Sequence, residues 1–188
     1  MRNTVEKISS IPYWYGMAII LVYALLMAEY LSEINDLCMD YDMRASNIIE
    51  VFLGISYVLT ILSSVVIWIV LCLMFHLTAL LLDGKQDFSK FLFTSSYLYI
   101  IPIIALIVAI VMLGTLEVDA SGDAVVKLLN NSSFKLIMNI VNYSFFLFYA
   151  LTACIIHYLY KIGWLYSILS VAVPVVAIWG MTEFFKLL

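Results

Sequence analysis

Residues 51–82 contain no aspartate, glutamate, lysine or arginine, and this uninterrupted apolar stretch limits what the chain can fold into. As one α-helix it would be roughly 48 Å long at a rise of about 1.5 Å per residue, whereas the hydrocarbon core of a bilayer is about 30 Å thick. Such a helix is expected to cross a membrane and to continue for about two to three turns beyond it. We place the exit at His76, because an apolar stripe at helical spacing follows it up to Asp83 and Gly84.

A short interfacial helix is predicted after this turn. Phe88, Phe91 and Leu92 recur at the spacing i, i+3, i+4, with Lys90 among them, which is typical of a helix lying on a membrane surface. The chain is expected to re-enter the membrane at Tyr97. The sequence therefore predicts a cytoplasmic amphipathic hairpin that joins the second and third spans.

The rest of the chain is also dominated by apolar segments. Further charge-free stretches cover residues 8–28, 91–116, 136–160 and 162–182, and each is long enough to span a bilayer. Hydrophobic residues make up 65% of the sequence, charged residues 12%, and the mean hydropathy is +1.10, which excludes a soluble globular domain. We predict an all-α integral membrane protein, a bundle of five transmembrane helices forming one domain over residues 1–188. The predicted spans are residues 9–29, 51–76, 97–116, 136–160 and 164–183.

Lysine and arginine in the short loops indicate the orientation of the spans. With the N-terminus inside, five basic residues lie on the cytoplasmic face against four outside. The connection from Glu29 to Glu50, which this orientation places outside, has six acidic residues and only Arg44 as a base. We predict that the N-terminus is inside and the C-terminus outside. The cytoplasmic basic residues are then Arg2, Lys7, Lys85, Lys90 and Lys161.

Polar residues inside the predicted spans are interpreted as helix-packing positions rather than a substrate path, because small hydroxyl and amide side chains commonly bridge membrane helices. No charged residue falls at the centre of a span, so the sequence does not support proton or ion coupling. These polar and small positions are Ser56, Thr60, Ser63, Ser64, Asn139, Asn142, Gly163, Ser167 and Ser170.

Two cysteine and histidine pairs form the one constellation with metal-binding chemistry. Cys72 with His76 in the second span, and Cys154 with His157 in the fourth, each share a helix face and are predicted at the same depth. Two cysteines and two histidines can complete a tetrahedral zinc site. The alternative is that the cysteines fill apolar space and the histidines lie at the interface, and we expect this alternative, with no metal and no other cofactor. The sequence also lacks the phosphate-loop, zinc-protease and nucleophile-elbow motifs, so we expect a protein that is not an enzyme.

Residues in and around the predicted hairpin resemble those of a known family. His76 at the end of a span, the motif Leu-Leu-Leu-Asp-Gly-Lys-x-x-Phe over residues 80–88, and Tyr97 and Pro102 at the next span resemble the bacterial branch of the Yip1 domain family. The resemblance extends in outline over nearly the whole chain and implies five spans, a cytoplasmic N-terminus and an external C-terminus. The Asp-Leu-Tyr-Gly-Pro motif and the long N-terminal tail of the eukaryotic trafficking members are not found in this sequence.

The resemblance implies a non-enzymatic protein of the bacterial cytoplasmic (inner) membrane that works by binding partners. Some bacterial relatives accompany ABC-type efflux systems that protect against antimicrobial peptides, so we predict a membrane adaptor or accessory subunit. Its expected partners are membrane lipid and other membrane proteins or further copies of itself, and no nucleic acid. A small transporter or channel is the alternative, and it would be recognised by a polar, water-accessible cavity between spans two, four and five.

The hairpin is the main candidate contact with a partner. Its apolar residues either bind that partner or rest on lipid headgroups, because amphipathic helices commonly lie on membranes. The candidate partner-binding residues are Leu77, Leu81, Phe88 and Phe91.

The predicted topology can be tested with thiol reagents. An impermeant maleimide applied to intact cells should label Cys38, because the acidic connection that contains it is predicted outside. A cysteine introduced at Gln86 should react only after permeabilisation. The reverse labelling pattern would invert the orientation and place the hairpin outside.

Overall fold

Helices form all of the regular structure in the described part of the chain. The computed structural model describes residues 5, 7, 11–38, 47–116 and 124–186. A single 3-10 turn over Tyr97–Tyr99 joins the third helix to the fourth. The helices are α1 (Tyr13–Cys38), α2 (Asn47–Leu81), α3 (Phe88–Ser96), α4 (Ile100–Leu113), α5 (Ala124–Asn130), α6 (Ser132–Tyr160) and α7 (Trp164–Lys186).

In the described part of the chain, five helical stretches are long and apolar enough to cross a membrane. This confirms the all-α class and the expected number of long apolar helices, and it is consistent with an integral membrane protein. The five stretches are Tyr13–Cys38, Val51–Leu81, Phe88–Leu113, Ser132–Tyr160 and Trp164–Phe184. The first continues well past its predicted end at residue 29, because the acidic residues of its last turns remain helical. The second continues past His76 to Leu81, as the apolar stripe in the sequence indicated.

The third stretch differs most from its predicted bounds. Its helical structure begins at Phe88 rather than at residue 97 and continues through the 3-10 turn into α4. The hydroxyls of Thr94, Ser95 and Ser96 each donate to a backbone carbonyl three or four residues earlier, at 2.7–3.0 Å. These bonds satisfy three buried polar side chains inside the helix itself, which allows α3 to pack as part of the longer helical stretch. The cytoplasmic position of the hairpin stays a prediction.

Asn131 caps the N-terminus of α6. Its side-chain Oδ1 accepts hydrogen bonds from the backbone N–H groups of Ser133, at 2.8 Å, and Phe134, at 3.2 Å. Two of the four backbone donors left unpaired at a helix start are satisfied in this way. The cap defines where α6 begins after the short helix α5.

The chain divides into two compact units, each with its own core. Unit one comprises Met1–Ile19, Val66–Tyr99 and Leu147–Leu188, and unit two comprises Ile20–Val65 and Ile100–Phe146. Aromatic pairs dominate the interior of unit one, including Tyr99 against Phe148, whose ring centroids are 4.7 Å apart.

The core of unit two includes several small and aliphatic residues. Ala24, Leu106 and Ala109 are fully buried there, and small side chains at such positions allow helices to approach closely. The Tyr30 hydroxyl lies 3.0 Å from the sulfur of Met138, which links α1 to α6 within this unit.

Candidate functional site

The connection between α2 and α3 is held within unit one by several hydrogen bonds and ring contacts. The first of these hydrogen bonds lie at the end of α2. The Gly84 N–H donates to the Ala79 carbonyl at 2.9 Å, and the Asp83 N–H donates to the Leu80 carbonyl at 3.2 Å. Asp83 has a φ of 66°, so these two bonds form a Schellman cap with aspartate in the left-handed position. The cap stops α2 at the Asp-Gly turn that the sequence predicted.

Gly84 is buried, and its neighbours leave no room for a side chain. A Cβ atom at residue 84 would lie 2.6 Å from the Ala79 carbonyl oxygen and 2.8 Å from Cδ1 of Tyr160. The turn after α2 therefore packs directly against the last residue of α6, and glycine is required by this close approach.

Tyr160, at the end of α6, contacts residues of both α2 and α3. Its hydroxyl shares a hydrogen bond with Nδ1 of His76, and both residues are buried. The ring of Phe91 meets the Tyr160 ring edge to face, with centroids 5.6 Å apart. The His76 ring also lies against Phe88, at a centroid distance of 5.3 Å. Residues from α2, α3 and α6 are thus held around one phenol.

Gln86 adds a second attachment between the connection and α6. Its Nε2 donates to the Leu159 carbonyl at 3.1 Å, and its Oε1 accepts from the Asp87 backbone N–H at 3.1 Å. The last carbonyls of a helix have no partner inside that helix. Gln86 therefore satisfies one such carbonyl of α6 while holding the chain just before α3.

The predicted partner-binding residues fall into two groups. Leu77 is 50% exposed and Leu81 is 84% exposed, so both lie on the surface of unit one. Phe88 is half-buried against His76. Phe91 is fully buried and contacts Tyr160, so it does not belong to the exposed face in which the sequence analysis grouped it.

Three of the four residues considered as candidate metal ligands, although no metal was expected, bond to other protein groups. Cys72 Sγ lies 3.3 Å from the Ser95 hydroxyl, whose own proton goes to the Leu92 carbonyl, so the Cys72 thiol is the donor of that pair. His76 bonds to Tyr160, as described above.

The second cysteine and histidine pair is arranged differently. His157 donates its Nδ1–H to the Ile162 carbonyl at 2.7 Å and stacks on Trp164 at a centroid distance of 4.1 Å. Cys154 is half-buried. Among the described residues, no three His, Cys, Asp or Glu side chains form a group that could hold a metal ion.

A polar cleft lies in unit two, between α1 and α2. Next to it, the Tyr57 hydroxyl donates to the Glu29 carboxylate at 3.3 Å. The cavity that would indicate a transporter was expected between spans two, four and five, whereas this cleft involves the first span. Its lining residues are Ala28, Leu31, Ser32, Asn35, Leu53, Ser56, Tyr57 and Thr60.

Sequence reasoning did not identify Tyr160 and Gln86 as organising residues. Tyrosine at the end of a span is typical of the membrane interface, and glutamine in a turn is unremarkable by itself. The local sequence does not indicate that Tyr160 would share a hydrogen bond with His76, or that Gln86 would donate to the Leu159 carbonyl. Both contacts join segments that are distant in the sequence.

No protein-family model, curated protein or solved structure matches this chain. The residues that the structure describes are helical and include five stretches long and apolar enough to cross a membrane. The resemblance to the Yip1 domain family stays a prediction.

The importance of the Tyr160 hydroxyl can be tested by the substitution Tyr160→Phe. Removing it leaves a buried imidazole without its partner, which should lower the free energy of unfolding by about 1–3 kcal/mol. Thermal unfolding of the detergent-purified protein measures this change. Tyr158→Phe is the matched control, because the Tyr158 hydroxyl bonds to no described residue. Equal unfolding temperatures for the two variants would contradict the assigned role.

The absence of a bound metal is a separate prediction. Elemental analysis of the purified protein should give far less than one zinc per chain, since no three His, Cys, Asp or Glu side chains of the described residues lie together as a metal site requires. Near-stoichiometric zinc that disappears when His76 and His157 are replaced by alanine would show the prediction to be wrong.

Proposed function

We propose that this protein is a non-enzymatic membrane adaptor or accessory subunit that binds a partner through the exposed apolar surface at the end of α2. The observation that carries the proposal is the exposure of Leu81, at 84%, beside Leu77 at 50% and Leu80 at 40%. We call these three residues the docking face. They lie on the last two turns of α2, directly before its cap.

The segment that follows the docking face is ordered by hydrogen bonds and close packing. The Schellman cap fixes the end of α2, Gly84 packs on Tyr160, and Gln86 bonds to the last turn of α6. A surface that is already ordered loses less conformational entropy when a partner binds. This arrangement supports a contact surface more than a flexible loop would.

Phe88 and Phe91 have supporting roles in this proposal. Phe91 is buried and packs α3 against Tyr160, while the Phe88 ring lies against His76. Of the four residues that the sequence indicated for partner binding, Leu77 and Leu81 have the exposure that direct contact requires.

The resemblance to bacterial Yip1 domain proteins suggests where the partner would be found. It implies a protein of the cytoplasmic membrane with the docking face inside the cell, associated with an ABC-type efflux or envelope-stress system. A partner in such a system would offer an apolar groove or helix face that covers the leucines.

The substitution Leu81→Glu tests the proposal. A carboxylate on the docking face should reduce recovery of co-purifying proteins from native membranes at least about tenfold, corresponding to roughly 1.4 kcal/mol, because it would be desolvated against an apolar partner. Quantitative mass spectrometry of the affinity-purified protein measures this recovery. Leu129→Glu is the matched control, because Leu129 is 57% exposed on the short helix α5 in unit two.

Both variants should accumulate in the membrane to the level of the unmodified protein, since both leucines are exposed. If the same proteins are recovered in the same amounts with Leu81→Glu as with Leu129→Glu, the docking face binds no protein and the proposed function fails.

A further inference from the structure

The connection between α2 and α3 contacts the end of α6, and each of these two segments carries a lysine. Gly84 packs against Tyr160, and Gln86 bonds to the Leu159 carbonyl at 3.1 Å. Lys85 lies between Gly84 and Gln86, and Lys161 follows Tyr160 directly. The contacts on either side of Lys85 therefore place it next to the end of α6, where Lys161 begins the turn into α7.

Both lysines are exposed, and neither forms an ion pair with a described residue. Lys161 has a φ of 58°, a left-handed conformation that ends α6 and begins the three-residue turn to α7. The half-buried Lys90 is a third lysine in this region, whereas Asp83 and Asp87 are acidic and exposed. With three lysines against two aspartates, the local charge is net positive.

An aromatic and an aliphatic side chain stand immediately after Lys161. Trp164 is 46% exposed and Leu165 is 69% exposed at the start of α7. The Trp164 ring is held in place by stacking on His157 at 4.1 Å and by the edge of Tyr158 at 6.0 Å. Tryptophan is enriched at the level of lipid headgroups, where one side of its ring is apolar and its N–H remains polar.

We propose that Lys85 and Lys161 bind the phosphate of an anionic phospholipid, and that Trp164 and Leu165 contact its glycerol backbone and first acyl carbons. Lysine ammonium groups bind phosphate as point charges, and basic residues at the ends of membrane helices commonly recognise anionic headgroups. A free phosphate would use the ammonium groups alone and gain nothing from the ordered tryptophan. The adjacent apolar side chains therefore favour a lipid as the source of the phosphate.

This site shares no residue with the proposed partner contact. The lipid site uses the side chains after α6 together with Lys85, whereas the docking face consists of Leu77, Leu80 and Leu81. Loss of lipid binding with unchanged partner recovery, or the reverse, would separate the two proposals experimentally.

Native mass spectrometry of the full chain, purified in detergent, tests the lipid site. With phosphatidylglycerol and phosphatidylcholine of the same acyl length, the protein should retain phosphatidylglycerol preferentially. The double substitution Lys85→Gln and Lys161→Gln should reduce this retention about tenfold or more, since each basic residue near a membrane surface contributes measurably to anionic lipid binding. Trp164→Ala should weaken it by a smaller factor.

The double substitution Lys127→Gln and Lys135→Gln is the matched control. It removes the same two positive charges from exposed positions in unit two and should leave the preference for phosphatidylglycerol unchanged. Thermal unfolding should show that the variant with Lys85→Gln and Lys161→Gln remains as stable as the unmodified protein.

Three results would overturn the proposal. Equal retention of phosphatidylglycerol and phosphatidylcholine would show that no anionic headgroup is selected. Equal losses in the two double variants would show only a general charge effect. Displacement of phosphatidylglycerol by millimolar inorganic phosphate, with no effect of Trp164→Ala, would indicate a site for a soluble anion instead of a lipid.

Discussion

Backbone hydrogen bonding without water is the constraint on which this structure depends. In the apolar core of a membrane each backbone N–H and C=O must be paired within the protein, and helices achieve this everywhere except at their ends. The ends are therefore where the chain has to supply special arrangements. Gly84 returns to the Ala79 carbonyl, Gln86 reaches the Leu159 carbonyl, and Asn131 caps the start of α6.

The arrangements at Gly84 and Gln86 both lie at the end of α6, where Tyr160 is the last residue. The packing around Tyr160 organises this part of unit one. The buried His76 and Tyr160 satisfy each other, so neither polar group is left unpaired in an apolar surrounding. The same tyrosine receives Phe91 and the Gly84 backbone. The short connection between α2 and α3 is consequently packed against the end of α6, with Gly84 buried. Its exposed residues, such as Lys85, are held by these contacts.

Two groups of exposed residues near this connection differ in chemistry. Leucines at the end of α2 offer an apolar surface suited to a protein, while Lys85 and Lys161 offer positive charge beside Trp164. The adaptor proposal and the lipid proposal each follow from one of these surfaces. Both depend on the buried pair His76 and Tyr160, because it orders the segment from which the two surfaces are built.

The sequence by itself determined the helical class, the number of long apolar helices, and the turn at Asp83 and Gly84. Each follows from signals within a few turns of chain, such as missing charges or an Asp-Gly pair. Only the tertiary structure decided that Phe91 is buried while Leu81 is exposed, and that Lys85 lies beside the end of α6. Periodicity shows which residues share a helix face, but which face is covered depends on packing between segments that are far apart in the sequence.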